Sequence, residues 1–254
     1  MSKVVLETPD TDVAKQMSGF CKRFAEPLER LLDKRGLLRP KQTQLPVLHV
    51  VFTDSATAWL TLLQPGDGSP WPMGVPRLRM PREAPSRSAL KLAEAFHELL
   101  GEAECAAHLR AGQRAVDLGA APGGWSWQLA QRGLHVTAVD NGPLAASAHA
   151  TGMIEHVRAD GFTWRPKRPV EWMVCDMVEQ PGRIAQLVAD WVASGRCKRT
   201  VFNLKLPMKR RLEEVERCRS LITKRMKSAG PFELRFKHLY HDREEITGYL
   251  AVKP

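Results

Sequence analysis

At 254 residues, the chain has room for one ordinary α/β domain and a small appendage. Its formal charge of +10 and pI near 9.6 point to a polyanionic partner. The five cysteines (Cys21, Cys105, Cys175, Cys197, Cys218) are odd in number and form no CxxC pair; this argues against a disulfide framework or zinc site, and without a signal-peptide pattern or a membrane-length apolar run the expectation is a soluble cytoplasmic protein.

Residues 1–64 read as a small α+β unit. Residues 3–7 have strand character, and residues 13–35 carry helical spacing in Phe20, Phe24, Leu28 and Leu31, with Pro27 as an expected kink or break. Residues 48–52 and 58–63 read as a hairpin. The basic run Lys22, Arg23, Arg30, Lys34 and Arg35 is either an RNA-contacting or a solvated helix face. Residues 65–85 are rich in Pro and Gly and read as an ordered linker, with Arg77, Arg79, Arg82 and Arg87 as candidate phosphate contacts.

Residues 86–254 alternate strands and helices at short spacing, which implies a mainly parallel sheet with helices on both faces. A helix opens at Ser86 or Ser88, either of which would cap it, and runs to about residue 100, with Leu92, Ala95, Phe96 and Leu99 as its buried stripe and Lys91 beside it. A strand at 114–116 then enters Asp117-Leu118-Gly119-Ala120-Ala121-Pro122-Gly123-Gly124-Trp125, and residues 125–132 leave it as a helix. Such a strand, small-residue turn and helix open the nucleotide crevice of a doubly wound fold. The next strand, 135–139, ends in Asp140, about 20 residues beyond the first glycine, where an acid can grip ribose hydroxyls. Further strands are read at 154–158, 170–175, 200–204, 234–239 and 246–252, with helices at 182–194 and 210–228.

Ligands of such sheets bind beyond the carboxyl ends of the strands. Asp117, Asp140, Asp160, Asp176 and Lys205 each end or just follow an expected strand. Lys205, inside Val201-Phe202-Asn203-Leu204-Lys205-Leu206-Pro207, is a cation in an apolar run; desolvation makes such an amine a usable base, and the plainer reading is a structural ion pair with Asp176.

Lys91, Asp176, Lys205 and a glutamate of Asp242-Arg243-Glu244-Glu245-Ile246 follow the order of the Lys-Asp-Lys-Glu tetrad of FtsJ-like RNA ribose 2′-O-methyltransferases. The segments 84–88, 117–125, 139–143, 172–177, 202–209 and 239–245 resemble more closely the RlmM-type bacterial 23S rRNA cytidine 2′-O-methyltransferases. The resemblance covers residues 71 to about 247. It implies a Rossmann-like domain built on a seven-stranded sheet, which uses S-adenosylmethionine, without a metal, to methylate a cytidine ribose of 23S rRNA or a ribosomal precursor. It also implies that Ser88, Gly119, Ala121, Pro122, Gly123, Gly124, Asp140, Asp160 and Asp176 hold the cofactor. Lys205 would take the proton, with Lys91, Asp176 and a glutamate beside it; Glu245, directly before a strand, matches better than Glu244. Two lysines sharing a pocket are expected to lower each other's pKa while the carboxylates orient them.

The resemblance departs at the N-terminus. Family members place a ferredoxin-like domain and a THUMP RNA-binding domain before the methyltransferase, whereas residues 1–64 look like part of THUMP. The expectation is a naturally shortened or N-terminally cut member, with RNA affinity and substrate choice at stake. A nicotinamide dehydrogenase, which would leave Lys205 without a role, and a non-catalytic RNA-binding relic are the rival classes. The oligomeric state stays open, with a monomer as the default.

Overall fold

The computed structural model describes every residue except Pro70, Arg243 and Pro254. The chain divides into two compact units, residues 1–77 and 78–254. The stretch read as a linker is thus divided between them, and Arg77, one of its candidate phosphate contacts, lies 3.3 Å from Asp10.

In the first unit, β1 (Lys3–Glu7) is followed by α1 (Asp12–Lys15), α2 (Ser18–Lys34) and the hairpin of β2 (Val47–Phe52) and β3 (Ala58–Leu63). β2 pairs in parallel with β1 and antiparallel with β3. Pro27 lies inside α2 without ending it. Val4, Leu38 and Val50 are the buried centre, and Leu28, Leu32 and Phe52 pack against them.

The second unit runs α3 (Ser88–Ala95), α4 (Gly101–His108), β4 (Arg114–Leu118), α5 (Gly124–Ala130), β5 (His135–Val139), α6 (Ala146–His149), β6 (Ile154–Val157), β7 (Val170–Cys175), α7 (Pro181–Ala193), β8 (Cys197–Lys205), α8 (Arg211–Met226), β9 (Phe232–Lys237) and β10 (Glu245–Val252). The seven strands lie in the order β6-β5-β4-β7-β8-β10-β9. β6 through β8 are parallel, and β10 is antiparallel to both its neighbours.

Strands covered on both faces must be apolar throughout, and their period of two sorts the side chains between the faces. Val116, Leu118, Met173, Cys175, Phe202 and Leu204 join α7 and α8 in one core. Ala115, Trp172, Val174, Val201, Tyr249 and Ala251 join α3 and α5 in the other. Each large side chain buried there contributes roughly 1.5–3 kcal/mol relative to exposure.

Three local expectations change. α3 begins at Ser88 with Arg87 at its cap position and no side-chain cap, because the Ser86 and Ser88 hydroxyls bond each other at 2.6 Å. Beyond Ala95 the helix widens into a π turn over Phe96–Leu100 before α4. β9 lies at Phe232–Lys237, two residues earlier than the apolar run suggested, and Leu239 is buried in the α3-side core.

Candidate active site

The parity that sorts the cores also assembles the polar site. Asp176 follows β7 on the α3-facing parity of Trp172 and Val174; Asn203 and Lys205 continue the parity of Val201, and Glu245 and Thr247 that of Tyr249. In the antiparallel register Glu245 lies opposite Lys205, and Thr247 opposite Asn203. All five residues therefore face the helix that carries Lys91.

The structure brings Lys91, Asp176, Lys205 and Glu245 together. Glu245 receives both lysines: Lys205 bonds its Oε1, and Lys91 Nζ donates to Oε2 at 3.1 Å. Asp176 lies 3.6 Å from Lys91 Nζ and 3.5 Å from Lys205 Nζ. The Lys91 and Lys205 side chains keep 18% and 23% of their exposure, so the cluster is reachable from solvent. Glu244 is exposed, whereas Glu245 is buried.

Burial works to lower the Lys91 pKa, but the charges of Asp176, Asp242 and Glu245 outweigh it and hold the ammonium above its ordinary value. The direction is set by the three carboxylates around the amine and not by the second lysine. For Glu245, burial opposes ionisation, but the hydrogen bond from Asp242 and the two lysines hold its carboxyl below the usual range.

A cavity of about 340 Å³ opens beside this cluster, lined by Gly119, Ala121, Asp140, Asp160, Asp176 and Met177 among others. Gly119 has a φ of +78°, and a Cβ there would stand 3.2 Å from the Met177 backbone. Asp140 shapes the turn: its Oδ2 accepts from the Ala121 N–H at 3.0 Å and its Oδ1 from the Gly142 N–H at 2.7 Å. Ser88, Pro122, Gly123 and Gly124 do not line this cavity. Gly124 instead lets α5 start against α3, where a Cβ would meet the Ala89 nitrogen at 3.0 Å. Asp117 points into the interior, accepting the Ser126 hydroxyl at 2.7 Å through Oδ2 while its Oδ1 has no partner. Burial pushes its carboxyl up to about 7. A larger cavity of about 880 Å³, lined by Arg114, His135 and Lys167 among others, contains none of the expected site residues.

A family model described as FtsJ-like methyltransferase matches residues 84–222. Residues 1–63 match a second, described as the N-terminal region of ribosomal RNA large subunit methyltransferase M. A protein with the latter name from Aromatoleum aromaticum is 71% identical over 252 residues, covering 99% of this chain and 68% of its own length. The chain belongs to the large-subunit ribosomal RNA methyltransferase M family. A namesake from Methylococcus capsulatus is 54% identical, covering 99% of this chain and 70% of its own. A solved Lactococcus lactis structure described as a hemolysin, 15% identical, covers 68% of this chain and 90% of its own at a TM-score of 0.50, a likeness of fold alone.

Around this cluster, sequence reasoning missed four residues. Asn203 Nδ2 donates to Asp176 Oδ1 at 3.0 Å and to Asp242 Oδ2 at 2.8 Å, and Thr247 Oγ1 donates to Asn203 Oδ1 at 2.7 Å. Asp242 Oδ2 lies 3.2 Å from Lys91 Nζ. Glu94, 2% exposed, accepts from the backbone N–H groups of Tyr240 and His241 at 2.7 and 2.9 Å and lies 2.7 Å from His241 Nδ1. It ties α3 to the segment that delivers Asp242 and Glu245. Signals existed: Asn203 is two residues before Lys205 in a strand, and Glu94 is one helical turn beyond Lys91. Among the described residues, no group of three His, Cys, Asp or Glu side chains is arranged to hold a metal ion.

The many cations on α8 and just before it are less free than their number implies. Arg217 pairs with Glu214, Arg219 with Glu216, Arg210 with Glu213 and Arg225 with Asp190. Lys209 is exposed and outside these pairs.

Proposed function

We propose that Lys205 is the base of this enzyme's reaction, the S-adenosylmethionine-dependent 2′-O-methylation of 23S rRNA, and that its target is a cytidine ribose. The observation that supports this assignment is the joint seating of Lys205 and Lys91 on Glu245 and Asp176, beside the glycine-lined cavity.

The residues present fit the cofactor. Asp140 uses one lone pair on each oxygen for the turn, leaving others for ribose hydroxyls. Gly119 keeps the wall free of a Cβ, and Asp160 and Asp176 supply further acceptors along the cavity. When bound, S-adenosylmethionine supplies a methyl group on a sulfonium that is already an excellent leaving group.

What the chain must add is alignment and the removal of one proton from a weakly acidic hydroxyl. Lys205, as the neutral amine, accepts the 2′-hydroxyl proton and becomes an ammonium facing Glu245 and Asp176. Those carboxylates stabilise that product charge at close range. Lys91 stays charged on the other oxygen of Glu245 and keeps that carboxylate ionised and oriented. A structural ion pair would need one lysine and one acid, and would gain nothing from standing open at the cavity. A non-catalytic RNA-binding role likewise gives no reason for the complete cluster.

The test is incorporation of labelled methyl from S-adenosylmethionine into 23S rRNA, with the modified ribose mapped. Label at a cytidine 2′-oxygen, lost in Lys205→Met, supports the assignment. Label retained in that variant removes Lys205 as the base, and label on a base edge removes the ribose reading.

A further inference from the structure

The polar cluster contains one more carboxyl group than the four residues given roles above. Asp242, in the loop before β10, has only 5% of its side chain exposed. Its Oδ2 accepts from Asn203 Nδ2 at 2.8 Å and lies 3.2 Å from Lys91 Nζ. Asn203 cannot turn over without presenting its carbonyl oxygen to both Asp176 and Asp242, and Thr247 secures the observed orientation from the other side. Asp242 is therefore held from two directions, by an amide it shares with Asp176 and by the lysine it shares with Glu245.

The charges make this arrangement more than a brace. Two ammonium groups face three carboxylates, so with all five ionised the pocket carries a net charge of −1. Burial, and then the hydrogen bond and charge of Glu245, raise the Asp242 carboxyl well above the usual carboxylate range, against the pull of Lys91. Asp242 is the carboxyl of the cluster whose ionisation its surroundings oppose. The groups facing it are Lys91 from α3 and Glu245 from β10; Asp176 after β7 stands behind the Asn203 amide and Lys205 of β8 behind Glu245. The neighbouring His241 turns to Glu94.

We infer that Asp242 is a positioning residue for methyl transfer, fixing Lys91 and Glu245 and exchanging a proton with the lysine pair through Glu245. The inference rests on Lys205 being the base. A proton passing from the Lys205 ammonium to Glu245, and from Glu245 to ionised Asp242, leaves a neutral amine, an ionised Glu245 and a neutral acid. The pocket's net charge is −1 before and after. Once neutral, Asp242 no longer adds a negative charge that holds the lysine protons, and the Lys205 amine is the form that accepts the 2′-hydroxyl proton.

The experiment uses the full chain, 23S rRNA and labelled S-adenosylmethionine, with single-turnover rates measured against pH for wild type, Asp242→Asn and Asp242→Leu. Asparagine reproduces the hydrogen bonds of the protonated acid but never acquires its negative charge. Its rising limb should move to lower pH by about one unit, because a carboxylate no longer stabilises the lysine cations. Leucine keeps the branched shape and loses every polar contact, so its maximal rate should fall on the order of 100-fold with the KM for S-adenosylmethionine unchanged. Should Asp242→Leu fail to fold, Asn203→Ala cuts the same bridge and should lower the rate in the same direction. An infrared carbonyl band of a protonated acid, present in wild type at neutral pH and diminished in Asp242→Asn, reads the proton without turnover. A profile for Asp242→Asn that superimposes on wild type, full rate in the leucine variant, or an unchanged acid band overturns the inference. An inert wild type would instead count against the methyl-transfer assignment, and the infrared arm would still decide where the proton sits.

Discussion

The carboxyl edge of the seven-stranded sheet has two halves that recognise by different physics. Beyond β4 and β5, the Gly119–Gly124 turn works through backbone shape: Asp140 bonds main-chain N–H groups, and small residues keep the wall close. Beyond β7, β8 and β10, side chain meets side chain, with two lysines shared among three carboxylates. The first arrangement suits holding a neutral nucleoside in place. The second suits moving a proton, because its members' proton affinities depend on one another. Ground-state binding and transition-state stabilisation are thus assigned to different strands, and substitutions should separate them.

The largest effect is expected at Lys205. Lys205→Met removes the base and keeps the stem, so kcat should drop on the order of 10²–10⁴-fold while calorimetry gives near wild-type cofactor affinity. Lys205→Arg should fail as well, since a guanidinium does not release its proton at working pH. Loss of cofactor affinity in Lys205→Met would join the two halves into one site.

Next comes Asp117, behind the turn. Its folded pKa, about 7, lies above the ordinary 3.8. Its contribution to stability is therefore fully present below about pH 3.8 and is lost as pH rises through about 7. At about 1.4 kcal/mol per pH unit, the full swing is on the order of 4 kcal/mol. Asp117→Asn, a permanent mimic of the neutral acid, should flatten that decline in thermal melts of the cofactor-free protein. Parallel Tm curves for the two proteins between pH 5 and 8 would rule out the buried-acid account.

Asp140→Ala should weaken cofactor binding by roughly 1.5–3 kcal/mol for each hydrogen bond lost from the charged acceptor. Transfer at saturating cofactor should change much less, with the loss appearing in KM. A fall confined to kcat would place Asp140 in the chemical half of the edge. The smallest effect is expected at exposed Lys209, beyond both halves: Lys209→Ala should reduce the salt slope of RNA binding by about 0.7 if it contacts one phosphate of a single strand. An unchanged slope would leave this lysine as surface charge.

Much of this molecule can be read along the chain. The alternation of apolar strands and helices dictates the doubly wound sheet, because only parallel strands covered on both faces bury such runs. The glycine turn, Asp140 and the pairing of Lys205 with acids are local or motif-level signals. Tertiary structure decides what depends on register. Glu245 stands opposite Lys205 because β10 runs antiparallel in one particular pairing, and a slip of one residue would offer Glu244 instead. Asn203, Thr247 and Asp242 join the site only because three separate segments converge beneath α3. The sign of the Lys91 shift also lay beyond the sequence: two lysines suggest repulsion, and only the fold shows three carboxylates close enough to reverse it. Coulomb interactions fall off with distance in space, which the order of residues along the chain does not record.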